Sequence, residues 1–371
     1  MKSSPKLCIL TCDFDPPLGG LGRSLQELYS ILVSQGADVT VATPATWHCG
    51  WMQRIPGGHL LFSMLLPFVL APHLRREGYT VLIVPVGPGG VWLLRRPRGV
   101  NVIAIAYHTY AQQQRDVPHE RWKRLFIPFE RRTLQIVADI LCYARETATL
   151  LERGYGIPCE RIAVLPQLLP LHRWSYSAGQ REERLCVYVG RLEQRKGIEI
   201  LLAAWTAVRR QWSDARLIVV GRGPLEHLVI ANVHHGVTHC RSLPQADLQA
   251  LLARATLAVC PSYLEGFGLA AAEAMLCGAP LVCSACDGLQ SLVTHDRTGL
   301  LVPPGNPAAL ADALCRLLGD GALRERLAAE AAAMMRARFA REPATRQHVR
   351  AILGESGEYA PSVNCDTLAA C

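Results

Sequence analysis

Glu265 and Glu273 stand eight residues apart in the run PSYLEGFGLAAAEAMLCGAP, residues 261–280. The apolar stretch Leu257 to Cys260 before it has the composition of a buried parallel strand. Gly266-Phe267-Gly268 then makes a turn, and Leu269 to Leu276 favours a helix. A strand that turns into a helix aims the helix's first free amides, with their partial positive charge, outward. That is a place for a phosphate. Two carboxylates beside it can accept bonds from hydroxyls, so the run has the chemistry to hold a nucleotide sugar. The competing reading makes Glu265 a helix cap and Glu273 a solvated helical residue. Glu273 lies among Ala271, Ala272, Ala274 and Met275, however, and a buried carboxylate needs partners.

Cations stand in a second strand-to-helix turn, Gly190-Arg191-Leu-Glu-Gln-Arg195-Lys196-Gly197. Arg191 offers a planar fork of donors and Lys196 a mobile point charge, and together they can bracket a diphosphate. No metal is then needed to neutralise a leaving group; a solvated charged loop is the alternative. Gly221-Arg222-Gly223-Pro224 either lines a nucleotide pocket or is only a turn. Nearer the N-terminus, Asp13 to Arg23 holds Gly19, Gly20 and Gly22, which allow close approach of backbone to a ligand. It is not the phosphate loop of nucleotide triphosphatases, since no Gly-Lys-Ser/Thr follows. Asp13 and Asp15 form an Asp-x-Asp pair of the kind that can hold a divalent ion, but they immediately precede the glycine turn, and no metal is expected. His108 falls just past the end of a candidate strand, where a histidine can bond a sugar hydroxyl.

The elements that must position these residues recur along the chain. Candidate strands are Lys6–Cys12, Asp38–Thr43, Thr80–Val84, Val100–Tyr107, Ala138–Tyr143 and Arg161–Leu165. After a break at Pro166, Pro170 and 175–180 come Leu185–Gly190, Arg216–Gly221, Gly236–Cys240, Leu257–Cys260, Pro280–Ser284 and Gly299–Val302. Helical patterns separate most of them. Strand and helix alternating in two series predict two doubly wound α/β domains with parallel sheets, over 1–170 and 171–340, and a cleft between them. A C-terminal helix over 341–354 and a disordered tail over 355–371 are expected.

With 371 residues, 50% hydrophobic and 19% charged, the chain can bury a large core. Of the net charge of +8, residues 1–168 carry 18 basic and 12 acidic side chains, a balance of +6. An anionic partner is therefore expected at the first half more than the second. The 14 cysteines, several in apolar runs, show no disulfide spacing, and Cys283-Ser-Ala-Cys286 lacks a second pair for zinc. A cytoplasmic setting follows. The uncharged stretch Ile55 to Leu74 contains Pro56, Pro67 and Pro72 and reads as a buried or surface-docked helix, not a span. In Arg115 to Arg132, the residues Trp122, Leu125, Phe126 and Phe129 fall at helical spacing among the basic side chains Arg121, Lys123, Arg124, Arg131 and Arg132. That stripe either packs on its own domain or docks on an anionic membrane.

Taken together, PPLGGLGRS, YVGRLEQRKG, VVGRGP, PSYLEGFGLAAAEAM and TGLLVPPGNPAALADAL resemble the retaining glycosyltransferases of family 4, over about residues 6 to 350. The resemblance implies the GT-B fold, two Rossmann-like domains facing a central cleft. It implies transfer of a sugar from a UDP- or GDP-type donor to a hydroxyl acceptor, without metal or other cofactor, as in cell-envelope glycan, lipopolysaccharide or glycolipid assembly. The acceptor would be a glycan, a lipid-linked or a small molecule, with no role for nucleic acid. Gly19 and Gly20 would approach the diphosphate, and Arg191 and Lys196 would neutralise it. Glu265 would bond hydroxyls of the transferred sugar, and the backbone of Phe267, Gly268 and Leu269 would contact sugar and phosphate. Gly221 would line the nucleotide pocket, Glu273 would hold the ribose, and His108 would face the sugar. Three departures stand out: Ser291 where a glutamate is common, Gln167-Leu168-Leu169-Pro170 for Asn-Gly-Val-Asp, and Arg241 or Ser242 for a glycine. They bear on donor sugar identity more than on activity, and they are the support for the alternative of a non-catalytic nucleotide-sugar-binding or scaffold protein. An epimerase or hydrolase on the same fold is a third reading.

Overall fold

The computed structural model describes residues 5–354 apart from 16, 18, 56–57 and 175–180. The expected tail over 355–371 and the expected break at 175–180 lie outside the described residues. The chain divides into two compact units, one of residues up to 115, 120–169 and from 341 on, the other of 116–119 and 170–340.

In the first unit six strands, β1 (Lys6–Leu10), β2 (Asp38–Ala42), β3 (Val81–Val86), β4 (Asn101–Ala106), β5 (Asp139–Cys142) and β6 (Ile162–Val164), form one sheet in the order β2-β1-β3-β4-β5-β6. Every pairing is parallel. A parallel sheet is covered on both faces, which is why Val-Leu-Ile-Val-Pro-Val of β3 is buried throughout. Alternation assigns the faces. Leu7 and Ile9 pack with Leu25, Leu28 and Ile31 of α1 (Gly20–Ser34), and with Ala351 and Ile352 of the C-terminal helix Arg341–Leu353. Cys8 and Leu10 point the other way, onto Phe62, Leu66, Leu70 and Leu74 of α2 (Gly58–Glu77).

The second unit has β7 (Leu185–Val189), β8 (Arg216–Val220), β9 (Val237–Cys240), β10 (Leu257–Cys260), β11 (Leu281–Ser284) and β12 (Leu300–Val302), in the order β12-β11-β10-β7-β8-β9 and all parallel. Numbered within the unit, this is the order 3-2-1-4-5-6 of dinucleotide-binding sheets. Its core joins Cys186, Tyr188 and Leu217 to Ile198, Leu201 and Trp205 of the helix Ile198–Gln211, with Trp205 Nε1 donating to the His235 carbonyl at 3.0 Å.

Each sheet has a point where successive crossovers leave in opposite directions, between β1 and β3 and between β7 and β10. Ligands of such sheets bind outside the carboxyl ends of the strands at that point. The loops there are those after β1, β3, β7 and β10. Gly19 ends the first of them at the start of α1, and the last two hold Arg191 to Gly197 and Glu265 to Gly268.

The first helix starts at Gly20, where Asp13 Oδ2 accepts the Gly22 N–H at 3.1 Å. One expectation needs correction. The stretch 115–132 is not one helix. It runs from a helix Tyr110–Asp116 through a 3₁₀ turn Arg121–Phe126 into a helix Ile127–Ile136. Pro118 and Pro128 cannot donate inside a helix, and His119 has φ +61°.

Candidate active site

After β7 the chain makes a short 3₁₀ turn, Gln194–Lys196, and enters its helix through Gly197 at φ +68°. A Cβ on Gly197 would lie 2.0 Å from the Pro261 carbonyl oxygen. This close approach brings the loop after β7 against the loop after β10, and Tyr263 N donates to the Arg195 carbonyl at 2.9 Å. The charged side chains meet there. Lys196 Nζ donates to Glu265 Oε1 at 2.6 Å, Ser262 Oγ donates to the same oxygen at 2.8 Å, and Arg195 Nη1 is 3.6 Å from Glu265 Oε2. Glu265 is 6% exposed. Burial alone would push its carboxyl up, but Lys196 and Arg195 hold it below the ordinary carboxylate range.

Arg195 is fixed by two further bonds, to the Leu264 carbonyl at 2.8 Å and to Glu193 Oε1 at 2.9 Å. Glu193 also pairs with Arg191 at 3.3 Å. Burial acts against its charge, yet Arg195, Arg191 and Lys196 bring its carboxyl down to about 2. Three cations against two carboxylates leave this corner with one net positive charge, and Arg191, at 56% side-chain exposure, presents its guanidinium to solvent. The corner is thus electropositive beside a buried carboxylate, which suits an anion with hydroxyls attached.

The structure therefore brings Lys196 and Glu265 together and places Arg191 at the rim through Glu193. Sequence reasoning missed Arg195, Glu193 and Ser262. Arg195 adjoins Lys196, so its charge was visible, but its aim toward Leu264 and Glu265 depends on the 3₁₀ turn. Phe267 is buried and meets Phe339 edge-on, at 5.3 Å between ring centroids. Gly268 caps the helix Leu269–Leu276, so the amide of Leu269 opens that helix. Glu273 lies in it, buried among Ala271, Ala272 and Ala274. Backbone of the 265–267 turn rests on Gly288, whose N–H donates to the Glu265 carbonyl at 3.1 Å. Ser291, in the same short helix, donates Oγ to the Asp287 carbonyl at 3.3 Å. Gly221 follows β8, where a Cβ would lie 1.8 Å from the Gly190 carbonyl oxygen. Its lack of a side chain lets the loops after β7 and β8 stack.

In the first unit, Gly19 and Gly20 cap and open α1. Asp13 spends a carboxylate oxygen on the Gly22 N–H, which gives the first aspartate of the Asp-x-Asp pair a structural task. His108 lies half-buried just past β4. The backbone after it is clamped, because both oxygens of buried Glu130 accept the Tyr110 N–H at 3.1 Å, and Tyr155 Oη also donates to Glu130. Burial drives the Glu130 carboxyl up to about 8, against the opposing pull of those donors. A carboxyl raised on folding keeps a proton that the unfolded chain releases. Its stabilising effect is complete below the unfolded value and is lost as pH rises through about 8. The slope is roughly 1.4 kcal/mol per pH unit across that window. Glu130→Gln is expected to remove this decline, so urea melts of wild type and variant should diverge between pH 5 and 8. Parallel curves would refute the assignment.

Comparison with known proteins gives three kinds of likeness. The family model described as Glycosyltransferase Family 4 matches residues 18–173, and that described as Glycosyl transferases group 1 matches residues 183–320. A phosphatidyl-myo-inositol mannosyltransferase of Mycobacterium leprae is 34% identical over 87% of this chain and 90% of its own. Among solved structures, a sucrose-phosphate synthase of Thermosynechococcus elongatus superposes with TM-score 0.79 at 24% identity, covering 92% of this chain and 97% of that one. The Anabaena protein HepE, solved with UDP and glucose, superposes with TM-score 0.69 at 18% identity, over 92% and 98% of the two chains.

Proposed function

The chain belongs to the glycosyltransferases of family 4, with the GT-B architecture, and on that premise we propose that it transfers a sugar from a nucleotide-diphosphate donor to a hydroxyl acceptor with retention of anomeric configuration. The observation that carries this reading is the Lys196–Glu265 pair, buttressed by Arg195, at the carboxyl ends of β7 and β10. The acceptor oxygen bonds the anomeric carbon while the bond to the diphosphate breaks. The leaving phosphate oxygen takes the acceptor's proton on the same face. Charge grows on the diphosphate, and Lys196 with Arg191 offsets it; such preorganised charges are commonly the largest part of catalysis. Glu265 then orients hydroxyls of the transferred sugar, the Phe267 to Leu269 backbone contacts sugar and phosphate, and Glu273 holds the ribose. Gly221 lines the nucleotide side. For the first unit, the same reading gives Gly19, Gly20 and His108 to the donor's diphosphate and sugar. No metal or cofactor takes part in this scheme. HepE was solved with UDP and glucose, which supports a UDP donor. The Mycobacterium leprae relative's name supports a lipid-linked acceptor in envelope glycan or glycolipid assembly. A cytoplasmic setting suits the thiols buried in the cores, such as Cys8, Cys142, Cys186 and Cys283.

The test supplies UDP- and GDP-sugars with a panel of acceptors and follows nucleotide release and the anomeric configuration of the product. Acceptor-dependent release with retention is expected. Release without acceptor would move the reading to a hydrolase or epimerase, and binding without release to a non-catalytic sugar-nucleotide binder. Glu273→Ala separates binding from turnover. Loss of a hydrogen bond to a charged group costs about 1.5–3 kcal/mol, so donor KM should rise about ten- to a hundredfold with kcat little changed. A fall in kcat at constant KM would place Glu273 elsewhere in the reaction.

A further inference from the structure

We propose that the first unit docks on an anionic lipid surface through two adjoining elements, α2 and the segment Arg121–Phe129. This inference stands independently of the transfer reaction. Of the twelve exposed large apolar side chains among the described residues, nine fall within 51–68, at 94 or within 122–129. So strong a concentration marks an interaction site.

The apolar residues of α2 divide by period. Phe62, Leu66, Leu70 and Leu74 are buried under the sheet, while Leu61, Met64, Phe68, Pro72 and Arg75 share the outer stripe. Phe68 is 77% exposed and Met64 64% exposed. The second element leaves Trp122 56% and Leu125 65% exposed. The two elements meet over Trp92. Its backbone N–H donates to Ser63 Oγ of α2 at 3.0 Å, and its ring stacks on Phe129 at 4.9 Å and lies 5.4 Å from Phe126. Lys123 also sits close enough to His59 of α2 to lower the imidazole's proton affinity, after burial.

Charge selects the occupant. Arg121 and Arg124 are exposed beside these apolar side chains. The acids of the segment do not oppose them, because Glu120 pairs with Lys123 at 2.9 Å and Glu130 is buried. Protruding Trp, Phe and Leu with arginine between them is the composition of a surface lying at the headgroup level of an anionic bilayer. No helix of the described residues is long and apolar enough to cross a membrane, so docking is peripheral.

Vesicle co-sedimentation of the full chain tests this, with phosphatidylcholine alone against phosphatidylcholine containing phosphatidylglycerol. Binding is expected only with the anionic lipid, and should weaken with salt. Each arginine near such a surface contributes about a fivefold factor, so Arg121→Glu with Arg124→Glu should lower affinity at least about thirtyfold. Met64→Ser with Phe68→Ser should lower it severalfold while the melting midpoint stays within a degree or two. Equal binding to both vesicle types, or an α2 variant that binds as wild type does, overturns the proposal. Self-association in sedimentation equilibrium that Phe68→Ser abolishes would assign the patch to a second copy, and overturns it too.

Discussion

Lys196→Ala is expected to lower kcat by about a hundred- to a thousandfold, the usual effect of deleting one preorganised charge from a developing anion. The fold should survive. Glu265 keeps the Ser262 hydroxyl at 2.8 Å and Arg195 at 3.6 Å, so its buried carboxylate is not stranded. Breaking a buried pair usually costs several kcal/mol because a charge is left alone. Here a second cation waits beside the first. Arg195 cannot replace Lys196 in the reaction, because its guanidinium is committed to the Leu264 carbonyl and to Glu193. Single-turnover kinetics with urea melts of the same samples decide. An unchanged kcat would remove Lys196 from the mechanism, and a collapse of stability equal to the loss of rate would make it structural.

Gly197→Ala is expected to destabilise the second unit by about 2–5 kcal/mol. A left-handed conformation costs a non-glycine residue about 1–2 kcal/mol. Forcing a methyl into the 2.0 Å gap to the Pro261 carbonyl adds an overpacking cost of about 1–3 kcal/mol. The neighbour that must yield is backbone, in the strand-end loop that leads to Glu265, so activity should fall together with stability. Gly36→Ala is the control, since Gly36 has φ +79° and a Cβ there meets nothing within 4 Å. It should show the conformational cost alone. If the two variants melt alike, the contact between the loops after β7 and β10 is not as tight as described.

Most strands were legible because parallel strands covered on both faces become unbroken apolar runs. All twelve overlap the expected spans, with β10 unchanged, β3 running on to Val86 past the expected end at Val84, and the others shorter by a residue or two. The helix Leu269–Leu276 and its turn were legible too, since glycines and alanines leave few alternatives. Side-chain direction was not. Nothing in Arg191 to Lys196 says that Lys196 and Arg195 turn toward Glu265 while Arg191 remains at the rim through Glu193. Glu130 escaped for a different reason. It sits in Phe129-Glu130-Arg131-Arg132, which looks like a solvated charged face, and only packing against Tyr110 and Tyr155 reveals a buried carboxyl. The broken helix at 121–129 shows the limit of periodicity, which registered the aromatic spacing and missed what Pro118 and Pro128 do to the backbone.

The return of the C-terminal helix to the first sheet has a consequence for biosynthesis. Residues 170–340 leave the ribosome as an almost uninterrupted stretch and can pack as soon as they emerge. The first sheet cannot finish so early, because Ala344, Ala351 and Ile352 cover Leu7 and Ile9, and His348 lies against Tyr143 at 5.9 Å. The half that is translated first is therefore completed last. A chain cut after residue 340 would hold a finished second unit and an open apolar face on the first, the kind of surface that chaperones and proteases recognise.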